Sequence, residues 1–412
     1  YGLIGSSMLT PYTNRVEDAV EIAARKLAHE ITPRKRIYTK VAQRSIGMVI
    51  LLAFALDSSA VSNIRGGEVG LGVSGMANKG AAGLRFAYKD GKTGGETELT
   101  FVAAHLAAME GELERRNEDW ANIVRGLVLT PVNFSVLDNK KKIPKGRTTD
   151  SSEESEALIK SSDEEKNEES IFSPTSHLFL AGDLNYRTST LKPAPEDHTT
   201  SFPQPHHLPG SDQHYAKYYE RDQLNQERLA GRTCHGLSEF PVRFPPTYKY
   251  DSYDLTTSTH SIKDDEDITG WWAWAEHRWP SWTDRILFLD LPSWMRDKYP
   301  ADQKPRIELG RYVALPLFET SDHRAVALSC RVPLVPIPEP PAELADSKDP
   351  RINPPFEREP EWRSKRALAR KEELMAGCSM FLTSTWEGWL IVLGTLAGFV
   401  GGYFLLKAGF DV

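Results

Sequence analysis

One stretch constrains the fold more than any other: His177 to Arg187, reading HLFLAGDLNYR. Leu178, Phe179 and Leu180 form a compact apolar run that reads as a buried strand. The run breaks at Gly182, and Asp183, Asn185, Tyr186 and Arg187 follow at once. A buried strand that ends in an acid, an amide and a base places those groups on the rim of a sheet. Rims of this kind are where a rigid scaffold carries chemistry. Taken alone, a Gly-Asp ending is as readily a plain turn, so the other strands must decide.

Several of them end in the same way. Leu99 to Leu106 (LTFVAAHL) reads as a second buried strand with His105 at its end. Thr320 to Val332 (TSDHRAVALSCRV) puts Asp322 and His323 just before a last strand. Trp279 to Leu289 (WPSWTDRILFL) reads as a turn, then a strand starting at Arg285. Gly66 to Phe86 is too rich in glycine for a helix. It permits a tight turn that lifts Asn78 and Lys79 out of a sheet, where amides and an ammonium can hold a phosphate, and it is as readily a plain hairpin. In Phe240 to Tyr250 a double proline fixes an extended segment presenting Thr247, Tyr248 and Lys249. Ser45 to Leu56 is almost continuously apolar and predicts one buried strand. Helices are predicted over residues 17–29, 110–127 and 215–229, with Arg116 and Asn117 near the start of the second.

Acids, histidines and cations that converge on one sheet edge suit hydrolysis of a phosphate ester. An Asp takes a proton from water, a His bonds a phosphoryl oxygen, and lysines hold further anionic groups. A divalent metal is expected to offset the charge. The net charge of -7 and the pI near 5.9 give no global basic field, so no nucleic-acid partner is expected. Cys234, Cys330 and Cys378 are too scattered for a disulfide framework or a zinc site.

The order of these motifs resembles the inositol polyphosphate 5-phosphatases of the endonuclease/exonuclease/phosphatase superfamily. The resemblance rests on GMANKGAAGLRF (75–86), FVAAHLAAMEGELERRNEDW (101–120), LAGDLNYR (180–187), FPPTYKYD (244–251), PSWTDRIL (280–287) and SDHRAV (321–326). It implies an α/β fold, a four-layer sandwich of two mixed β-sheets flanked by helices. It implies a metal-dependent phosphatase acting on the 5-phosphate of phosphoinositides or inositol polyphosphates, with magnesium as cofactor. The catalytic residues it implies are Asp183 as general base, Asn185, His323, His105 and Asp322, the last also as the metal residue. The substrate-binding residues it implies are Asn78, Lys79, Arg187, Tyr248 and Lys249, with Arg116, Asn117 and Arg285 counted among them as pocket support. Alternatives are a non-catalytic phosphoinositide-binding protein, or a nuclease or sphingomyelinase of the same superfamily.

The chain departs from the family pattern at several points. Thr283 stands where a Cys is usual, Ala77, Ala81 and Ala82 flank Asn78-Lys79-Gly80, and His277-Arg278-Trp279 replaces a basic pair. The strands expected to carry an Asn and the metal-holding Glu are not found before residue 40, so the chain reads as N-terminally incomplete.

Residues 1–333 are thus expected to form the catalytic domain, with a disordered acidic insertion at about 139–176. Residues 334–385 are expected to be a linker with a basic juxtamembrane segment, since Arg363 to Lys371 holds five cations and no acid. Gly388 to Leu406 is 19 residues without a charge. As a helix it spans about 28 Å, enough for a hydrocarbon core, and 386–406 is expected to be a tail anchor. The expected location is a membrane, the endoplasmic reticulum in particular, with the catalytic domain cytosolic. Gly394, Gly398 and Gly402, spaced four apart, would suit a homodimer contact in lipid.

Overall fold

The computed structural model describes residues 9–28, 37–72, 75–132, 168–251, 273–318, 320–345 and 347–410. Its strands are β1 (Thr39–Ile46), β2 (Val49–Ala55), β3 (Val61–Gly70), β4 (Gly80–Lys89), β5 (Glu96–His105), β6 (Thr130–Pro131), β7 (Ser176–Asp183), β8 (Leu237–Ser238), β9 (Asp284–Leu289), β10 (Glu308–Ala314) and β11 (Val326–Arg331). Its helices are α1 (Thr10–Ala28), α2 (Leu113–Gly126), α3 (Asp197–Thr200), α4 (Tyr215–Tyr218), α5 (Gln223–Leu229), α6 (Ser293–Arg296), α7 (Trp362–Ser384) and α8 (Trp386–Phe410).

Seven strands form one mixed sheet in the order β6-β3-β4-β5-β7-β9-β8. Only β5 and β7 run parallel, and α2 lies in the long connection between them, as a parallel pair requires. Alternation along each strand gives the sheet two apolar faces. On one face Val102, Ala104, Leu178 and Leu180 pack against Trp120, Ile123 and Val124 of α2 and Leu127 just after it. On the other a ladder of rings, Phe86, Phe101, Phe179 and Phe288, crosses four strands with centroids 5.4–6.4 Å apart.

The expected α/β class is therefore present. Beside the seven-stranded sheet, the described residues form two antiparallel pairs, β1–β2 and β10–β11. The single strand expected over Ser45–Leu56 is the middle of the first pair, because the chain turns at Gly47, where φ is +54°. Ile46 of this hairpin packs on Ala82 of β4. The helix expected at 215–229 is broken: Asp222 leaves the helical region and caps α5 through the Asn225 N–H.

Two segments are more ordered than expected. Most of the acidic insertion lies outside the described residues, but Ile171 and Phe172 are buried in the main core. Glu169 bridges to the Leu129 backbone and pairs with Arg65. The expected linker also lies on the domain. Ile337 is buried beside Leu291 and Met295, Arg351 donates to the Asp290 carbonyl, and Phe356 packs against the main core. The basic segment belongs to α7, and four of its five cations are paired: Arg363 with Glu168, Lys365 with Glu359, and Arg366 and Arg370 with Glu373. Helix α8 follows α7 after Thr385, and Trp386–Phe404 is long and apolar enough to cross a membrane. Among the described residues, and apart from the helix's own nearby backbone, nothing lies within 4 Å of where a Cβ on Gly394, Gly398 or Gly402 would be.

Candidate active site

Strand register builds the site. Gly80 faces His105 across β4 and β5, His105 faces Asp183 across β5 and β7, and Asp183 faces Asp284 across β7 and β9. One transverse row thus carries Lys79 at its start, then an imidazole and two carboxylates, at the usual strand spacing of about 4.8 Å. The loop before β11 closes over this row and brings in His323.

Gly182 explains how β7 ends. Its φ is +145°, and a Cβ there would lie 2.0 Å from the Ala104 carbonyl oxygen. Only glycine lets β7 approach β5 so closely and turn Asp183 into the row. Asn185 has φ +56°, a region Asn tolerates better than most residues. Its backbone N–H and its Nδ2 donate to the two oxygens of Asp183 at 3.2 and 3.0 Å. Arg187 donates from Nη2 to Asn185 Oδ1 at 2.7 Å, so the base locks the amide and the amide locks the acid.

His105 Nε2 lies 3.2 Å from Asp183 Oδ2 and is in contact with the Lys79 ammonium. Burial pushes the Asp183 carboxyl up. The hydrogen bond and charge of His105, with His323 and Lys79, pull it down further, so it stays ionised below the usual carboxylate range. Burial also holds the Lys79 ammonium below its ordinary value, and the Asp183 charge opposes only part of that.

His323 is oriented by Asp284. Its Nδ1 lies 2.9 Å from Asp284 Oδ2, which also accepts from the Thr247 and Thr283 hydroxyls at 2.8 and 2.9 Å. Burial disfavours the imidazolium, but the hydrogen bond and charge of Asp284, then Asp183 and Asp322, prevail and raise its pKa. The Tyr248 ring stands 4.5 Å from the His323 ring, with the Arg187 guanidinium over its other neighbourhood at 4.6 Å.

Several sequence expectations change. Asp322 does not hold His323: it pairs with Lys249 at 2.7 Å, and its nearest approach to the imidazole is 3.9 Å. It also lies outside the group that could hold a metal, which is Asp183, Asp284 and His323, with ligand atoms all within 4.8 Å of one another. Asn78 is exposed and turns back on its own loop beside Gly72. Arg116, Asn117 and Arg285 have structural partners, in keeping with pocket support rather than direct contact with a substrate. Arg116 is fully buried and donates to the carbonyls of Ala107 and Met109 and to Gln223. Asn117 binds Glu227 and accepts from Tyr186. Arg285 is fully buried between Asp222, Glu239 and Tyr219.

Asp284 was missed in the sequence, although it lies in the PSWTDRIL motif beside Arg285. The available signal was its place at the first position of a strand, mirroring Asp183 at the last position of another. Two carboxylates facing each other on paired strands repel. Their hard oxygen donors suit magnesium or calcium, so the donor set fits a divalent cation on Asp183 and Asp284.

Comparison with known proteins identifies the family. The model of endonuclease/exonuclease/phosphatase family 2 matches residues 6–329. The chain belongs to that family. Its relatives include an inositol-1,4,5-trisphosphate 5-phosphatase of Schizosaccharomyces pombe, 28% identical over 58% of this chain and 16% of the relative. Synaptojanin of Caenorhabditis elegans is 25% identical over 77% of this chain and 23% of its own length. A phosphatidylinositol 4,5-bisphosphate 5-phosphatase of Saccharomyces cerevisiae is 28% identical over 62% of this chain and 20% of its own. The chain therefore spans less than a quarter of these relatives. A solved inositol polyphosphate 5-phosphatase domain of synaptojanin, in complex with inositol (1,4)-bisphosphate and calcium, is similar with a TM-score of 0.46 and 22% identity, covering 86% of this chain and 76% of that one. The sequence resemblance to the 5-phosphatases is borne out.

Proposed function

We propose that this family member is a divalent-cation-dependent phosphomonoesterase that removes the 5-phosphate from phosphoinositides such as phosphatidylinositol 4,5-bisphosphate. The observation that carries this reading is the row Lys79, His105, Asp183 and Asp284 across four strands, closed by His323. The ionised Asp183 takes the proton of the attacking water, and the Arg187–Asn185 chain keeps it aimed. The raised pKa of His323 favours its imidazolium, which spends Nδ1 on Asp284 and leaves Nε2 to donate to a phosphoryl oxygen. His105 and Lys79 face the same oxygens, while Lys249 and Tyr248 receive the neighbouring phosphate on the ring. Magnesium, held by Asp183 and Asp284, would supply Lewis-acid polarisation of the phosphoryl group.

Helix α8 would anchor the chain in a membrane, which suits a lipid substrate. The endoplasmic reticulum is the proposed membrane, on the moderate hydrophobicity of the span. Imaging that finds the protein only at the plasma membrane would exclude it.

The deciding experiment is phosphate release from phosphatidylinositol 4,5-bisphosphate in mixed micelles with magnesium, for the full chain and for Asp183→Ala. Release by the parent and none by the variant supports the reading. Lipid binding with no release in either would favour a binding protein, and cleavage of DNA without release would favour a nuclease.

A further inference from the structure

Lys79 reaches the row at the end of the loop that follows β3, and the described residues of that loop, Leu71, Gly72 and Gly75 to Lys79, are hydrogen-bonded to one another. The Leu71 N–H donates to the Lys79 carbonyl at 2.8 Å, Gly72 to Met76 at 2.9 Å, and Gly75 to Gly72 at 3.0 Å. Asn78 closes the brace. Its Oδ1 lies so near Gly72 that a Cβ there would come within 1.7 Å of it. These bonds tie Gly75 to Gly72 and Leu71 to Lys79, so a displacement at Gly75 bears on the backbone that carries Lys79.

The loop is gripped from two sides. On one side Arg115 of α2 donates from Nη2 to the Leu71 carbonyl at 2.8 Å. On the other side stands α7. A Cβ on Gly75 would lie 3.6 Å from the Ala369 Cβ, an ordinary contact, and Ala369 is only 2% exposed. One turn further along, Glu373 is fully buried and holds Arg366 at 2.8 Å and Arg370 at 3.1 Å. Trp362, Ala369, Glu373 and Gly377 recur at helical spacing on the face turned to the domain. The start of α7 is pinned by Glu168, which accepts from Arg363 at 2.6 Å and from Trp362 Nε1 at 3.2 Å. The segment preceding the apolar helix α8 is thus packed against the loop that presents a catalytic-row cation.

We infer that α7 is a positioning element for the substrate site: through Ala369, seated by Glu373, it holds the Leu71–Lys79 loop where Lys79 can bind phosphate. The inference rests on the role given to Lys79 above. Ala369 and Glu373 touch no substrate and act through the loop. A large side chain at 369 must displace either α7 or Gly75. Loss of the Glu373 charge removes two ion pairs within α7 and leaves a buried polar side chain on the face that packs on the domain.

The test is a double-substitution cycle on the full chain in detergent, with inositol 1,4,5-trisphosphate as a substrate that needs no membrane. The proteins are the parent, Lys79→Ala, Ala369→Trp, and Ala369→Trp combined with Lys79→Ala. Lys79→Ala should raise KM about tenfold or more, as loss of one charge-assisted phosphate contact does. Ala369→Trp should raise KM by a comparable factor in the parent and leave it unchanged when Lys79 is already alanine. A merely structural role would lower the amount of active enzyme and multiply with Lys79→Ala. If Ala369→Trp does not fold, Glu373→Gln takes its place in the same cycle, with the same expectation. KM within twofold of the parent for the α7 variant, or losses that multiply, overturns the proposal while leaving Lys79 in its role. No change of KM in Lys79→Ala itself overturns the Lys79 assignment, and the proposal with it.

Discussion

Replacing Arg285 with methionine separates a structural arginine from a substrate-binding one. The guanidinium is completely buried, 2.9 Å from Asp222 Oδ2, and also donates to Glu239 and to the Tyr219 hydroxyl at 2.7 Å. Asp222 is itself fully buried, and Glu239 accepts a further bond from Tyr312 at 2.9 Å. Arg285→Met fills a similar volume but leaves two carboxylates without their cation. Breaking one side of a buried pair costs about 3–5 kcal/mol, a large share of a total stability of roughly 5–15 kcal/mol. The pH dependence has a definite sign. Burial already raises the Asp222 pKa, and Arg285 is the strongest influence that lowers it. Without Arg285 the folded-state pKa rises further above the unfolded value. The folded variant then binds more protons than the unfolded chain, so its stability falls as pH rises through that interval. Urea unfolding, followed by tryptophan fluorescence, should therefore show a larger deficit at pH 8 than at pH 5 (conditions bracketing the range of about 5–8 where stability tends to peak). A deficit below about 1 kcal/mol, the scale of an exposed pair, would refute the buried-network argument. So would full stability combined with a raised KM, which would return Arg285 to the substrate.

Three further predictions concern the row itself. His323→Asn should lose stability chiefly at low pH: the raised imidazole pKa contributes stability that is fully present below the unfolded value of about 6.5 and disappears as pH rises through the folded value, so unfolding curves that show equal losses at acid and alkaline pH would contradict it. Thr247→Val removes one of the hydroxyls on Asp284 Oδ2, and it should lower kcat by about tenfold, the equivalent of one hydrogen bond of about 1.4 kcal/mol, with the melting curve little changed. Chelation of divalent cations should abolish phosphate release and magnesium should restore it, and a rate insensitive to chelator would remove the cation from Asp183 and Asp284.

Tail and fold interact in a way the composition did not suggest. A proline-rich, charged stretch is the usual signature of a free linker. Here Arg351 reaches the carbonyl of Asp290 and Ile337 enters a small apolar cluster, so the stretch is a strap across the domain. The cations of α7 read in sequence as a basic juxtamembrane segment. Their carboxylate partners come from as far away as Glu168, nearly two hundred residues earlier in the chain.

Local information in the sequence determined the pieces of the site. Leu178 to Leu180 followed by Gly182 and Asp183 could be read as a buried strand with a polar end, because burial and chain reversal depend on neighbouring residues. The same holds for His105 at the end of β5, for the loop carrying Lys79, and for the apolar span of α8. What the sequence could not reveal was register. Asp183 meets Asp284 because β7 and β9 pair at one alignment, and a slip of one residue would have turned either carboxylate to the opposite face. Arg116 and Arg285 looked like pocket cations because charge is visible in sequence and burial is not. Asp322 adjoins His323 in the chain, yet Asp284, 39 residues earlier, holds the imidazole. The tertiary structure alone decided those partners, because a hydrogen bond depends on where separate strands and loops come together in space, and adjacency along the chain does not fix that.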